Sequence, residues 1–119
     1  MTASFSEISG STLEGMNDEA LDSLPFGVVG LTPDGVTKRY SAREGELAGL
    51  RRETVIGTDY FDEIAQCMNN FMVAQRFEDE PEIDDIISYV LTLKMRPTPV
   101  KLRLLKGNAF SLRYILIQR

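Results

Sequence analysis

Three β-rich segments close this chain, Ile86 to Met95, Val100 to Lys106 and Phe110 to Gln118, joined only by Arg96-Pro97-Thr98-Pro99 and Lys106-Gly107-Asn108. Links this short and this rich in turn formers make consecutive strands antiparallel neighbours. A second strand pair stands nearer the start, where Phe26 to Leu31 and Val36 to Tyr40 flank Pro33-Asp34-Gly35, three residues that each supply turn geometry. Helical pieces lie between the two groups. Arg43 to Leu47, Arg52 to Ile56 and Asp59 to Ala65 each read as a helical turn, the last with Asp59 near its N-terminus, and Gly45, Gly49 and Gly57 prevent a longer run. From Asn69 or Asn70 to about Glu78, Phe71, Val73, Ala74 and Phe77 recur at helical spacing and predict the best single helix of the body. The acidic stretch Glu78-Asp79-Glu80-Pro81-Glu82 reads as a solvated connector.

Ahead of the first strand, Ser11-Thr12-Leu13-Glu14 resembles a helix start with a hydroxyl cap, carrying Met16, Ala20 and Leu21 on one face, although Gly15 weakens it. Residues 1–24 therefore read as an N-terminal cap that packs Phe5, Leu13 and Leu21 onto a core of residues 25–119. The expected fold is α+β: a five-stranded antiparallel sheet, short helices on one face, and the N-terminal segment available for the other. A length of 119 residues suits a single domain with one core.

Composition removes several function classes. The chain has no histidine, which excludes histidine-based triads, zinc hydrolase sites and histidine-ligated haem. No phosphate loop occurs: Gly27-Val28-Val29-Gly30 lacks the Gly-Lys-Ser/Thr ending. A net charge of −5 opposes nucleic-acid binding, which relies on clustered Lys and Arg. Lys94, Arg96, Lys101, Arg103 and Lys106 do gather, but their alternation with apolar residues predicts the wet face of a strand pair. No apolar run approaches the roughly 20 residues of a membrane helix, and Met1 to Gly10 lacks a secretory signal, so the expected compartment is the cytoplasm.

Cys67 is the only cysteine and cannot form an internal disulfide. It stands in Ile64-Ala65-Gln66-Cys67-Met68, downstream of Tyr40-Ser41-Ala42-Arg43-Glu44-Gly45. A lone thiol, a phenol and a carboxylate at these intervals suggest a covalent chromophore site. The plainer alternative is a small buried hydrophobe at Cys67, a strand-end phenol at Tyr40 and an exposed helix carboxylate with an ordinary pKa at Glu44.

The order of elements is that of PAS sensor domains, and from about Leu21 to Arg119 the chain resembles the photoactive yellow proteins. The resemblance rests on Leu24-Pro25-Phe26-Gly27, Asp34-Gly35, Tyr40 to Gly45, Val55-Ile56-Gly57, Tyr60-Phe61 with Ala65-Gln66-Cys67, and Met95 to Lys101. Each piece is weak alone; together and in order they are specific. The resemblance implies a cofactor, p-coumaric acid (4-hydroxycinnamic acid) held as a thioester on Cys67, with Tyr40 and Glu44 hydrogen-bonding its phenolic oxygen. A carboxyl can donate only when protonated, so a neutral Glu44, buried away from cations, is the required state. Phe61, Tyr89, Met95 and Phe77 are candidates to line or influence the pocket. The implied mechanism is a blue-light switch: isomerisation, proton transfer from Glu44, and partial unfolding that releases the N-terminal cap. The downstream partner is unspecified, and the expected assembly is a monomer or weak dimer.

The chain also departs from the pattern. Ala48 stands where a threonine usually supports the phenol, Leu50 where an arginine usually covers the chromophore, and Gln66 where a proline usually precedes the cysteine. Arg51 or Arg52 is the expected substitute for the missing arginine. These departures favour an alternative, a chromophore-free PAS-like module for protein interaction or dimerisation. A third reading, a small enzyme with Cys67 as nucleophile, lacks a histidine base. The cysteine motif of flavin-adduct light sensors is absent too.

Overall fold

The computed structural model describes residues 4–92 and 96–119, so the expectation for Met95 falls outside the described residues. The early hairpin forms as β1 (Gly27–Leu31) and β2 (Thr37–Tyr40), and Gly35 turns it at φ 87°, a left-handed conformation that costs glycine nothing. The later strands are β3 (Ile83–Leu91), β4 (Thr98–Lys106) and β5 (Arg113–Gln118). Together they make the expected antiparallel sheet of five strands, in the order β2-β1-β5-β4-β3. The first strand thus pairs with the last. Gly27 lies opposite Ile117 and Val29 opposite Ile115, which brings the end of β5 to the start of β1.

Side chains on a strand alternate between faces, and here both faces are covered. On one face Val29, Leu31, Leu102, Leu104, Ile115 and Ile117 meet Val55, Tyr60, Ala65, Met68, Val73 and Phe77 from the intervening helices. On the other, Val28, Leu105, Tyr114 and Leu116 meet Phe5, Ile8, Leu13, Leu21 and Leu24 from the N-terminal segment, and Phe26 just before β1. This double coverage explains why every residue of β1 is buried instead of every second one.

The helical elements of the first face are α3 (Ala42–Ala48), α4 (Arg52–Val55), a π-type turn at Tyr60–Ile64, a 3-10 turn at Gln66–Met68, and α5 (Ala74–Asp79). Asp59 caps the π-type turn, its Oδ1 accepting from Asp62 N at 3.1 Å. The N-terminal segment carries α1 (Gly10–Gly15) and α2 (Asp18–Asp22). Among the described residues no helix is long and apolar enough to cross a membrane.

Four expectations need correction. The N-terminal helix does not run on from Ser11, because two caps start two helices: Ser9 Oγ accepts from Thr12 N at 3.0 Å and Asn17 Oδ1 from Ala20 N at 2.8 Å. The helix predicted from Asn69 or Asn70 begins only at Ala74, and Phe71 is 77% exposed. Asn70 diverts the backbone there: its Oδ1 accepts from Met72 N at 3.0 Å, a local bond that competes with helix. β3 begins at Ile83, taking in part of the segment next to the acidic connector. Arg103, expected on a wet face, is 4% exposed because the N-terminal segment lies over it. Its guanidinium donates to Asp84 at 2.9 and 3.1 Å and to the carbonyls of Phe5 at 3.0 Å and Ile8 at 2.5 Å. Arg39 holds the same segment farther along, donating to Leu13 O at 2.6 Å and Met16 O at 2.7 Å.

Candidate functional site

Tyr40 ends β2 and Ser41 caps α3, so one residue carries the chain from strand to helix. Ser41 is fully buried, and its Oγ accepts from Glu44 N at 3.3 Å and from Val28 N at 3.0 Å, locking the first turn of α3 onto β1. That lock aims Glu44 inward. Its side chain is fully buried, against the expectation that a plain helix carboxylate would be exposed. The space it fills exists because β1 presents a glycine. A Cβ on Gly27 would stand 2.2 Å from Glu44 Oε1 and 3.0 Å from Glu44 Cβ. Gly45 is tight for a similar reason, since a Cβ there would come 2.7 Å from Leu50 O.

Glu44 is not away from cations. Arg119, just past β5, donates from Nη1 to Oε1 at 2.7 Å and from Nη2 to Oε2 at 3.2 Å, a bidentate pair made possible by the β1–β5 register. This corrects the cation-free environment expected from the sequence. The two arginines expected to fill in for Leu50 are engaged elsewhere. Arg52 donates to Tyr40 O at 2.7 Å and pairs with Asp22, while Arg51 pairs with Glu53 at the surface. Ala48 is buried, and Leu50 packs against the main core.

Burial pushes the Glu44 carboxyl above its ordinary range, opposed by the hydrogen bonds and charge of Arg119. Tyr40 is raised too, first by burial and then by the Glu44 charge, with Arg119 opposing. Tyr60, wholly buried on the π-type turn, is raised well above a free phenol by burial, then by Glu44, Tyr40 and Cys67. Those influences place the two phenols, the carboxyl and the thiol in one electrostatic neighbourhood. No hydrogen bond contributes to the shift of either phenol.

Cys67 sits on the 3-10 turn, partly buried against the main core. Its carbonyl is held twice, by the Tyr89 hydroxyl and by Asn70 Nδ2 at 3.1 Å, and Asn70 Nδ2 also donates to Tyr89 Oη at 2.7 Å. Tyr89 projects from β3, so this clasp fixes the cysteine turn to the sheet. Phe61 reaches the site indirectly: its ring meets Tyr60 edge-on, centroids 5.6 Å apart. Phe77 is a buried member of the same core.

A groove of about 660 Å³, within the range of small-molecule sites, is lined by Met72, Tyr89, Val90, Val100, Gln118 and Arg119. Its walls touch both ends of the candidate site, since Tyr89 bonds the Cys67 carbonyl and Arg119 bonds Glu44. Lys101 also lines this groove, whereas Cys67, Tyr40 and Glu44 do not. Among the described residues no cluster of acidic or sulfur ligands is able to hold a metal ion. Gly27, Tyr60, Asn70 and Arg119 are not among the site residues expected from the sequence. A glycine inside a strand signals close approach of another group, which points to Gly27; the other three carry no local mark.

No family model matches the chain. It is 31% identical over 107 residues to a photoactive yellow protein of Rhodothalassium salexigens, covering 87% of this chain and 86% of that protein. A photoactive yellow protein of Halochromatium salexigens is 28% identical over 112 residues, covering 92% and 90% of the two chains. Among solved structures, the photoactive yellow protein domain of the sensor histidine kinase Ppr from Rhodospirillum centenum superposes with a TM-score of 0.83 at 30% identity, covering 91% of this chain and 97% of that one.

Proposed function

Since the chain belongs to the photoactive yellow protein family, we propose that it is a blue-light photoreceptor, not an enzyme, carrying p-coumaric acid as a thioester on Cys67. One observation carries this reading: Tyr40 and Tyr60 share a core cluster against which Cys67 packs, and the fully buried Glu44 carboxyl acts on both phenols. Burying ionisable groups is costly, and a cluster of them next to a groove is characteristic of a working site. When bound, the group supplies blue absorption and a double bond that light isomerises.

The chain's own residues then have distinct roles. Cys67 holds the acyl end through sulfur, because a thiolate is the nucleophilic form of the side chain and a good acyl acceptor. Asn70 and Tyr89 fix the turn that aims it. Tyr40 donates its hydroxyl proton toward the phenolic oxygen, and Glu44 holds the second proton at its carboxyl. If Glu44 gives up that proton, it becomes a buried anion, a state that costs several kcal/mol unless Arg119 is free to pair with it. A domain of this size has roughly 5–15 kcal/mol of stability, so a local opening is the expected response. The N-terminal segment, tied down by Arg39 and Arg103, is the part that opens in this reading.

A second reading keeps one specific observation in its favour. The Glu44–Arg119 pair satisfies the buried carboxylate from within the chain, as a chromophore-free PAS module would require. One experiment separates the two: absorption and intact mass of the protein before and after incubation with activated p-coumaric acid. The photoreceptor reading expects a blue band that bleaches under blue light and a single acyl mass increase, both lost in Cys67→Ala. A folded protein with a titratable thiol, no band and no adduct would establish the interaction module instead.

A further inference from the structure

Arg119 was absorbed by none of the roles above, yet it is the one cation that acts on the Glu44 carboxyl. Its side chain is 18% exposed and lines the groove, where Lys101 is the other cation, while the carboxylate it grips is fully buried. The groups that face Glu44 come from three other elements: Arg119 after β5, Tyr40 on β2 and Tyr60 on the π-type turn, with Cys67 beside Tyr60. Two of these are phenols and one a thiol, so within this neighbourhood a buried negative charge has a single positive partner.

That arrangement fixes how an anionic ligand is accommodated. A phenolate entering beside an ionised Glu44 would put two negative charges against one guanidinium, and like charges at close range shift a pKa strongly upward. The charge count stays at one anion and one cation only if Glu44 becomes neutral. We infer that Arg119 is an exchangeable counter-ion: it pairs with an ionised Glu44 in the unloaded protein and passes to the oxygen of an aromatic acyl ligand as Glu44 takes up a proton. The proton balance closes within the site. The phenol O–H bond breaks, its electron pair stays on the ligand oxygen, and the proton forms a new O–H bond on Glu44. The guanidinium keeps all its protons and changes partner. Because Arg119 lines the open groove, together with Lys101, while Glu44 does not, an incoming ligand reaches the guanidinium without first reaching the carboxyl.

The consequence is selectivity at the phenol end. Arg119 is here a positioning residue that favours acyl groups bearing an acidic hydroxyl over those ending in a bare ring. This deepens the photoreceptor reading and rests on it for the ligand class.

The test has two arms. In the unloaded protein at pH 8, infrared difference spectra between wild type and Glu44→Gln identify the Glu44 carboxyl, which is expected as a carboxylate. On an Arg119→Gln background the same difference is expected to show a protonated carboxyl, with Arg119→Lys restoring the carboxylate should the glutamine variant fold poorly. In the second arm the proteins are treated with activated p-coumaric acid. The wild type is expected to gain a protonated carboxyl band on loading. In Arg119→Gln the phenolate absorption band is expected to titrate at a pH at least one unit higher, a tenfold loss of phenolate stabilisation. A carboxyl already protonated in the unloaded wild type overturns the proposal, as does a ligand pKa unmoved by Arg119→Gln. Failure of the wild type to take up the acyl group refutes the functional reading and the exchange with it. The first arm still decides whether Arg119 holds Glu44 ionised.

Discussion

Replacing Gly27 with alanine tests the architecture of the buried carboxyl without reference to any ligand. The new methyl would lie 2.2 Å from Glu44 Oε1, 3.0 Å from its Cβ and 3.1 Å from its Cδ. An ordinary carbon–oxygen contact is about 3.4 Å, so the carboxylate must retreat by more than about 1 Å. Rotating the carboxylate alone cannot clear the methyl, because the Glu44 Cβ is also too near. Retreat stretches the 2.7 Å bond from Arg119 beyond hydrogen-bond range. Overpacking costs about 1–3 kcal/mol and a lost charged hydrogen bond about 1.5–3 kcal/mol. Against these, alanine in a strand gains about 0.5–1 kcal/mol over glycine. The steric and polar losses win, leaving a net destabilisation of about 1.5–5.5 kcal/mol. With a urea m-value of about 1.5 kcal/mol/M, the unfolding midpoint should fall by about 1–3.7 M. The decisive control is the same substitution in a Glu44→Ala background, where the methyl has room and should cost less than about 1 kcal/mol. A single variant within about 0.5 kcal/mol of wild type, or an equal loss in both backgrounds, would refute the steric argument.

Two further outcomes follow from the buried charges. Glu44 has its carboxyl raised above its ordinary value of 4.5, so stability is greatest below that value and declines as pH rises toward the folded one. Arg119→Gln raises the folded value further and extends the decline to higher pH. Its stability deficit, measured by denaturation from pH 4.5 to 8, should therefore widen with pH by no more than about 1.4 kcal/mol per unit, and a deficit constant in pH would dismiss the linkage. Arg103→Ala removes the donor to the Phe5 and Ile8 carbonyls. Amides of the N-terminal segment, such as Ile8 and Leu13, should exchange with solvent at least about tenfold faster while β1 and β5 amides keep their protection; unchanged exchange at Ile8 would remove Arg103 as the tether.

The sheet was legible because its signals are local. Pro33-Asp34-Gly35 and the links around Pro97 and Gly107 mark the breaks by backbone preference, and apolar alternation marks the strands between them, although β4 already begins at Thr98 and takes in Pro99. Tyr40 and Glu44 were legible through a resemblance spread along the chain, and the structure buries both. What escaped depends on distant partners. The apolar spacing of Phe71, Val73, Ala74 and Phe77 promised a longer helix, but Asn70 satisfies its neighbours' backbone through its side chain. Arg103 alternates as a wet-face residue should, and becomes buried only because residues from the far N-terminus cover it. No cation was expected beside Glu44, and the one that pairs with it arrives from 75 residues away through strand pairing. Charge spacing along a sequence carries no mark of such a contact.

The pairing of β1 with β5 also has a meaning in time. Loop closure between distant segments comes late and slowly, since its entropic cost must be met before the contact can reward it. During synthesis, Tyr40, Glu44 and Cys67 all emerge before Arg113–Gln118 exists to complete the sheet beside them. Until then β1 has a bare flank, Gly27 has nothing opposite it, and the carboxyl of Glu44 has no guanidinium to meet. The ion pair between Glu44 and Arg119 is consequently a late part of the site to form, completed only when β5 has been laid down against β1.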